Sequence, residues 1–286
     1  MHCWGGFGSQ LFAVIQCWYL ADRFPTRKIV LIIHTSGVTK RNVEITELLS
    51  GFRVITKNDF KEPSTINLGA SHRASYSEKM KGIAIRISKY FLIRMGFISS
   101  LKDENALKSL KPWIMSLRGH YTNLPLARSH LIKLRDAIVE QAGALTTPKI
   151  ARQTLAVQYR LGDLLNLKQK SFIEPELLTN VVSDQLNPVE IKDITILSDS
   201  PKEATELLDA NRRGWTVKNL SPIETIDFCL TSKRFVGTNS KLSFWIAIFR
   251  TLNEQKSILP KGFKVKIHSA IDAHAVKNID FFETGN

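Results

Sequence analysis

The second half of the chain repeats one local pattern three times: a short apolar run, a polar cluster and a segment with helical character. The apolar runs cover residues 155–159, 194–197 and 234–236, and the polar clusters cover 160–163, 198–200 and 237–240. The helical segments follow at 175–182, 201–209 and 242–252. Strand, polar turn and helix in succession predict a parallel sheet with crossover helices, whose ligands bind at the carboxyl ends of the strands. We expect the three polar clusters to line one crevice.

The first half also has α/β character. An apolar run at 10–21 predicts a buried helix, a β-branched run at 27–34 predicts a strand, and residues 126–141 predict another helix. Residues 143–153 have the Gly, Thr and Pro content of a linker. The chain of 286 residues is long for one domain. We therefore predict domains at 1–148 and 149–286.

Three glycines, Gly5, Gly6 and Gly8, precede the first helix. They lack the full dinucleotide-binding pattern, because Ile33 and His34 stand where that pattern places an acidic residue. A nicotinamide-dependent enzyme is therefore the weaker interpretation. The four residues before the glycines are also too few for the strand that such a turn normally follows, so we expect this first strand to be missing, because the start was assigned late or the gene is truncated.

The charge of the chain indicates an anionic partner. Forty Lys and Arg against 26 Asp and Glu give a formal net charge of +14, which suits nucleic acid, an acidic membrane surface or a phosphorylated substrate. The cations are spread along the chain and no groove-reading motif is present, which argues against nucleic acid. Residues 78–102 mix cations with Ile, Phe and Leu, and are interpreted either as a domain helix with solvated cations or as a segment that docks on anionic lipid.

The cysteine content and the lengths of the apolar runs indicate the cellular compartment of the protein. Cys3, Cys17 and Cys229 have neither disulfide nor metal-ligand spacing, and we predict that they pack as small apolar residues. The apolar run at 10–21 is too short to span a bilayer. We expect a cytoplasmic protein, with peripheral contact to the inner face of a membrane left open.

The polar clusters carry the candidate chemistry. An Arg at the end of a buried strand, with Gly162 and Asp163 behind it, suits a phosphate oxygen, although Arg160 and Asp163 also fit a surface ion pair. The Asp199 carboxylate suits ribose hydroxyls or the N–H edge of guanine. Thr238, Asn239 and Ser240 fit a helix cap, an anion site, or both.

Several reaction classes lack their motifs. No Asp-x-Asp, Gly-x-Ser-x-Gly or Walker loop occurs, and the seven histidines are scattered. We therefore predict no metal site and no cofactor, and we do not expect hydrolase triads or NTPase chemistry.

Taken together, four motifs resemble the α-1,2-fucosyltransferases of glycosyltransferase family eleven. "GGFGSQLF" is similar to the "GGLGNQLFQ" of that family, "VQYRLGD" to "VHIRRGD", "ILSDSP" to "VFSDD" and "FVGTNSKLSFWIA" to "IIANSTFSWWGA", in the same order. The resemblance implies an α/β enzyme of GT-B type, with two Rossmann-like domains facing a cleft. It implies inverting, metal-independent transfer of L-fucose, or a related deoxyhexose, from its GDP-sugar to a galactose-type hydroxyl in α-1,2 linkage.

The resemblance also implies residue roles. Arg160 and Asp163 would be catalytic, with Arg160 neutralising the β-phosphate of the departing GDP. The remaining residues divide into a donor-binding set and an acceptor-side set: donor-binding Ser198, Asp199, Asn239, Ser240 and Lys241; acceptor-side Gly5, Gly6, Gly8, Gln10 and His120. Asp163, Glu174 and His120 are alternative candidates for the catalytic base. The chain departs from the family by having Gln158 for a His, Leu161 for a second Arg, Lys241 for a Thr and Phe244 for a Trp.

Family context suggests a bacterial enzyme of carbohydrate metabolism that acts in O-antigen biosynthesis on a polysaccharide or lipid-linked acceptor. Two alternatives stay open: a catalytically degenerate protein that only holds a GDP-sugar, and a basic nucleic-acid-binding protein.

Overall fold

The computed structural model describes residues 1–35, 45–57, 87–88, 90–100, 104–119, 121–122, 124, 126–143, 152–166, 172–186, 190–263 and 277–284. The chain divides into two compact units, Met1–Leu124 and Pro125–Asn286. Within the described residues, no helix is both long enough and apolar enough to cross a membrane.

The first unit carries two small parallel sheets, one of three strands in the order β1-β2-β3 and one that pairs β4 with β5. Its strands are β1 (His2–Trp4), β2 (Val30–His34), β3 (Arg53–Lys57), β4 (Ile98–Ser100) and β5 (Ser116–Arg118). Its helices include α1 (Phe7–Arg23) and the short α2 (Glu104–Lys108).

The strand that was expected to be missing is present, so that prediction is wrong. Strand β1 pairs in parallel with β2 from His2 opposite Ile32 to Trp4 opposite His34. The Ile32 backbone N–H donates to the carbonyl of Met1 at 2.8 Å. Three residues suffice because the backbone of β1 is paired along its whole length and the Cys3 side chain is buried.

The second unit contains one six-stranded sheet in the order β11-β10-β9-β6-β7-β8. Its strands are β6 (Arg152–Gln158), β7 (Asp193–Leu197), β8 (Thr216–Lys218), β9 (Ser232–Gly237), β10 (Ser257–Pro260) and β11 (Ile279–Phe282). Its helices are α3 (Arg128–Gln141), α4 (Pro175–Asp184), α5 (Pro201–Leu207), α6 (Pro222–Thr231) and α7 (Lys241–Leu252).

The order of these strands is that of a doubly wound sheet. The chain starts at β6 in the middle and moves outward through β7 to β8, then returns to the other side of β6 and moves outward through β9, β10 and β11. Every strand pairing in the described part of the chain is parallel. This is the Rossmann strand order, in which ligands bind where the direction of winding reverses. The predicted α/β class is confirmed, with a parallel sheet in each unit as a GT-B type of fold requires.

The division between the units differs from the predicted boundary at 148. It falls after Leu124, because α3 packs on α6 and α7 of the second unit. Leu131, Leu134 and Ile138 of α3 are buried, and the Arg135 guanidinium donates to the Asn253 side-chain oxygen at 2.8 Å. Residues 143–153, which have the composition of a linker, therefore come after a helix that already belongs to the second unit.

Candidate functional site

The carboxyl ends of β6, β7 and β9 carry the three polar clusters. Strand β6 lies between the other two, and its boundary with β9 is the point where the winding of the sheet reverses. The crevice outside such a point is the general ligand site of open α/β sheets. The three clusters therefore end at one edge of one sheet, as the sequence predicts.

A hydrogen-bond network joins the ends of β6 and β9. The Arg160 backbone N–H donates to the Thr238 hydroxyl at 3.2 Å, and that hydroxyl donates to the Gln158 carbonyl at 2.9 Å. The Gln158 side-chain oxygen accepts from the hydroxyls of Ser240 at 3.0 Å and Ser243 at 2.5 Å. Gln158, Thr238, Ser240 and Ser243 are buried, so these bonds are shielded from water. The network fixes the backbone of Arg160 relative to the start of α7.

A second tie connects β7 to β6. One Asp199 carboxylate oxygen accepts a hydrogen bond from the Leu161 backbone N–H at 3.0 Å. Gly162 follows with a φ of 23°, and a Cβ added to it would collide with the Asp199 carboxylate. Glycine is therefore required there for two reasons, the backbone angle and the approach of Asp199. Asp199 thus positions the turn after Arg160, a role that the sequence alone did not indicate.

The helix that follows β9 presents its N-terminus at the same edge. Ser240 is the N-cap of α7, and its hydroxyl accepts from the Ser243 backbone N–H at 3.0 Å. A Cβ on Gly237 would lie 2.6 Å from Ser243 Cβ and 2.6 Å from Leu259 Cδ2, so glycine lets α7 start close to the sheet. The positive end of the helix dipole, with Lys241 as the first residue of the helix, makes this edge favourable for an anion.

The predicted donor-binding residues divide into two groups. Ser198 is 5% exposed and its hydroxyl accepts from the Ser200 N–H at 3.1 Å, while Ser240 is 4% exposed and occupied as a cap. Both hydroxyls are thus buried and hydrogen-bonded within the protein, and their predicted contact with a donor stays a prediction. Asp199 and Asn239 are exposed and Lys241 is half-buried, and their predicted contacts with a donor stay predictions.

The structure describes some of the predicted catalytic residues fully and others only in part. Arg160 is half-buried at the end of β6. Asp163 has its backbone in a short 3-10 helix, Gly162–Asn166, and its side chain lies outside the described residues, as does all of His120. Glu174 is exposed and directly precedes α4. The roles of Arg160, Asp163, His120 and Glu174 stay predictions.

Tyr159 connects the site to α4. Its hydroxyl donates to the Ile173 carbonyl at 2.9 Å, and burial raises the pKa of this phenol well above its usual range. The phenol therefore stays protonated and remains a hydrogen-bond donor at physiological pH. This bond holds the end of the loop that follows Arg160.

The predicted acceptor-side residues near the N-terminus form the turn that leads into α1. Gln10 is fully buried, and its side-chain N–H donates to the Gly5 carbonyl at 3.2 Å. Gln10 therefore holds the glycine turn, and its predicted hydrogen bond to a sugar stays a prediction. Gly5 has a φ of 96°, Gly6 is the N-cap of α1, and Gly8 is buried in the first turn of that helix.

A ring cluster at the carboxyl ends of β1 and β2 was missed by sequence reasoning. Nδ1 of His2 lies 2.9 Å from Nε2 of His34, and the Trp4 ring stacks on His34 with centroids 4.7 Å apart. The alternation of side chains along a strand could have placed His2 and Trp4 on one face of β1. The register of β1 with β2 puts Trp4 opposite His34.

The described part of the chain contains neither a metal-ligand cluster nor an exposed cysteine. Among the residues that the structure describes, no group of three or more His, Cys, Asp or Glu side chains is arranged to hold a metal ion. Cys3, Cys17 and Cys229 are buried, as predicted, and burial raises the pKa of Cys17 to about 12.

Comparison with known proteins finds similarity only among solved structures. No protein-family model and no curated protein matches the sequence. The chain is similar to POFUT1 in complex with GDP, at 12% identity and a TM-score of 0.42, over 90% of this chain and 97% of that chain. It is similar to POFUT1 in complex with GDP-fucose, at 11% identity and a TM-score of 0.40, over 99% and 97%. It is also similar to E. coli heptosyltransferase WaaC with ADP-2-deoxy-2-fluoro heptose, at 11% identity and a TM-score of 0.38, over 91% and 88%.

Proposed function

We propose that the protein is a glycosyltransferase that uses a nucleoside-diphosphate sugar as its donor. The observation that supports this most strongly is that Arg160 and the N-terminus of α7 follow the carboxyl ends of β6 and β9, the two adjacent strands where the winding of the sheet reverses. A guanidinium and a helix N-terminus both favour phosphate-type anions, and a diphosphate offers oxygens to each.

In this proposal Arg160 and Lys241 neutralise the diphosphate. As the bond between sugar and diphosphate breaks, negative charge develops on the leaving phosphate, and a prepositioned cation stabilises that charge. The Gln158–Ser240–Ser243 network keeps the two cations at fixed strand and helix ends, so little reorganisation is needed at the moment of reaction. Asp199 and Asn239, both exposed, are proposed to contact the nucleoside and the phosphates.

The loss of a second arginine is the main difference from the resembled family. Leu161 stands in its place and is fully buried, so it contributes no charge to the site. Lys241, at the first position of α7, is proposed to supply the missing cation.

The finer proposal follows the resemblance of the four motifs. The donor would be GDP-L-fucose or a related GDP-deoxyhexose, and transfer would be inverting and independent of metal, with Asp163 assisting Arg160. The first unit would bind the acceptor, a galactose-type hydroxyl of a polysaccharide or lipid-linked glycan, to form an α-1,2 linkage. We propose a cytoplasmic, O-antigen type enzyme on this basis.

A GDP-binding test separates the proposal from its alternatives. We expect GDP to raise the melting temperature with or without EDTA, and a screen of GDP-sugars with acceptor to release GDP from one of them. GDP binding without turnover of any GDP-sugar would indicate a degenerate relative. Salt-sensitive binding to an oligonucleotide with no effect of GDP would contradict the proposal and favour a nucleic-acid-binding protein.

A further inference from the structure

The first unit exposes a concentrated set of large apolar side chains. Eight of the ten exposed large hydrophobic residues in the described part of the chain lie between positions 87 and 115. They are Ile87, Tyr90, Phe91, Leu92, Ile93, Met95, Trp113 and Met115. Scattered exposed apolar residues are normal, whereas a concentration of this kind marks an interaction surface.

Two chain segments form this surface together. Residues 90–94 are helical and end in a turn at Gly96. The Trp113 indole N–H donates to the Met95 carbonyl at 3.1 Å, and the Met115 backbone N–H donates to the Phe97 carbonyl at 2.8 Å. The pairing of β4 with β5 continues the connection. We call residues 90–95 together with Trp113 and Met115 the apolar-basic surface.

The helical segment presents its apolar side chains to solvent. Phe91 is 57% exposed and Ile93 is 49% exposed. Arg94, which follows Ile93, is also exposed. A helix that only completes its domain would bury this apolar face. The interpretation as a packed domain helix with solvated cations therefore does not account for the part of 78–102 that the structure describes.

The two sequence stretches that form the surface carry cations and no acidic residue. The sequence contains no Asp or Glu at 87–100 or at 105–119. Arg94 and Lys111 are exposed beside the apolar side chains, and the Lys111 Cγ lies near the Gly96 turn. Lys28 is exposed in the same unit, and Arg27 donates to the Pro112 and Ile114 carbonyls at 2.6 and 2.8 Å. Facing a second copy of itself, the same basic surface would meet repulsion.

We infer that the apolar-basic surface docks on an anionic lipid bilayer. Phe91, Ile93, Met95 and Met115 would enter the boundary between headgroups and acyl chains, with Tyr90 and Trp113 at headgroup level. Arg94 and Lys111 would meet anionic headgroups, whose surface potential attracts exposed cations. The surface lies within the first unit and uses none of the proposed nucleotide-site residues, so the inference is independent of the proposed function.

Vesicle sedimentation with the full chain tests the inference. We expect binding to vesicles of phosphatidylcholine mixed with phosphatidylglycerol and much weaker binding to phosphatidylcholine alone. The double variant Phe91→Ser/Ile93→Ser should bind at least about tenfold more weakly, because two apolar side chains no longer enter the bilayer. Arg94→Gln and Lys111→Gln should each weaken binding by about fivefold. The matched control is Leu186→Ser/Leu207→Ser, which removes two exposed leucines from the second unit and should bind like the wild type.

A spectroscopic readout identifies the surface directly. Trp113 is 49% exposed, so its fluorescence should shift to shorter wavelength on vesicle binding, and the shift should be reduced in Trp113→Phe. The circular dichroism and melting temperature of each variant establish that it is folded. Absence of binding to anionic vesicles, or equal binding by folded Phe91→Ser/Ile93→Ser, overturns the inference. So does a concentration-dependent dimer that this double variant abolishes, because the occupant would then be a second copy. GDP binding is measured separately, so failure here leaves the proposed function untouched.

Discussion

The Asp199 carboxylate accepts a hydrogen bond from the Leu161 backbone N–H, which ties the end of β7 to the turn that follows Arg160. An exposed acid at a strand end was expected to bind a ligand, and in the structure it also shapes the backbone beside the proposed phosphate site. The two roles predict different results for two substitutions.

Asp199→Ala should weaken GDP binding by about tenfold, because the Leu161 N–H loses its acceptor and the turn loses its support. Asp199→Asn keeps an oxygen that can accept the same bond and should lose less. Isothermal titration with GDP measures both, with Asp184→Ala as a control at the end of α4. Equal losses for the two Asp199 variants would show that the charge matters and the hydrogen bond does not.

Gly162→Ala should displace the Asp199 carboxylate or the turn itself, because the added Cβ collides with that carboxylate. Gly214→Ala is the matched control, since Gly214 has a φ of 68° but no atom within 4 Å of an added Cβ. Both variants carry backbone strain, of about 1–3 kcal/mol. Urea unfolding should therefore show a cost for both, and GDP titration a loss of affinity for Gly162→Ala alone.

Arg160→Ala should fold normally and lose transfer by about two orders of magnitude or more, because the developing charge on the leaving group loses its cation. Arg160→Lys should recover part of the rate, since an ammonium keeps the charge without the planar fork. Turnover of the GDP-sugar is measured under single-turnover conditions, with Arg212→Ala as an exposed control. Near wild-type turnover in Arg160→Ala would rule out the proposed mechanism.

Lys241→Ala should weaken GDP binding by about tenfold if Lys241 replaces the family's second arginine. Leu161→Arg is not an informative rescue, because Leu161 is fully buried. The exposed Lys202 on α5 provides the control variant Lys202→Ala. An unchanged dissociation constant for Lys241→Ala would end the compensation hypothesis.

Gln16→Met should raise the free energy of unfolding by about 1–2 kcal/mol. Gln16 is 1% exposed in α1, and within the described part of the chain neither of its side-chain amide atoms has a hydrogen-bond partner. Methionine removes that desolvation cost and is of similar length. Gln10→Met is the contrasting variant and should lower stability, because Gln10 bonds the Gly5 carbonyl. A destabilised Gln16→Met would mean that the amide has a partner.

The sequence was sufficient to predict the strands and helices around the proposed nucleotide site, because strand, turn and helix are local patterns. The predicted strands and helices around Arg160, Asp199 and Ser240 are all present, with ends that differ by a few residues. Strands β8, β10 and β11 were not predicted, since they have three or four residues and weak alternation. Short strands depend on their neighbours in the sheet, which a local pattern does not contain.

Local sequence patterns could not predict which side chains form hydrogen bonds with each other. The burial of Gln10, the role of Asp199 as an acceptor for Leu161 and the partnership of Gln158 with two serines all depend on which chain segments meet in space. The division after Leu124 differs from the predicted boundary for the same reason, because composition marked a loop but not the packing of α3.

The contact between Gln158 and Ser240 joins residues 82 positions apart in the chain. In the described part of the chain, three strands (β7, β8 and β9) and three α-helices (α4, α5 and α6) lie between them, and this interval runs to the β8 edge of the sheet and back. Closing so long an interval is a late and entropically costly event in folding. The proposed nucleotide site therefore does not exist in any intermediate that lacks β9. GDP would act only on molecules that have completed this closure, drawing the folding equilibrium toward them.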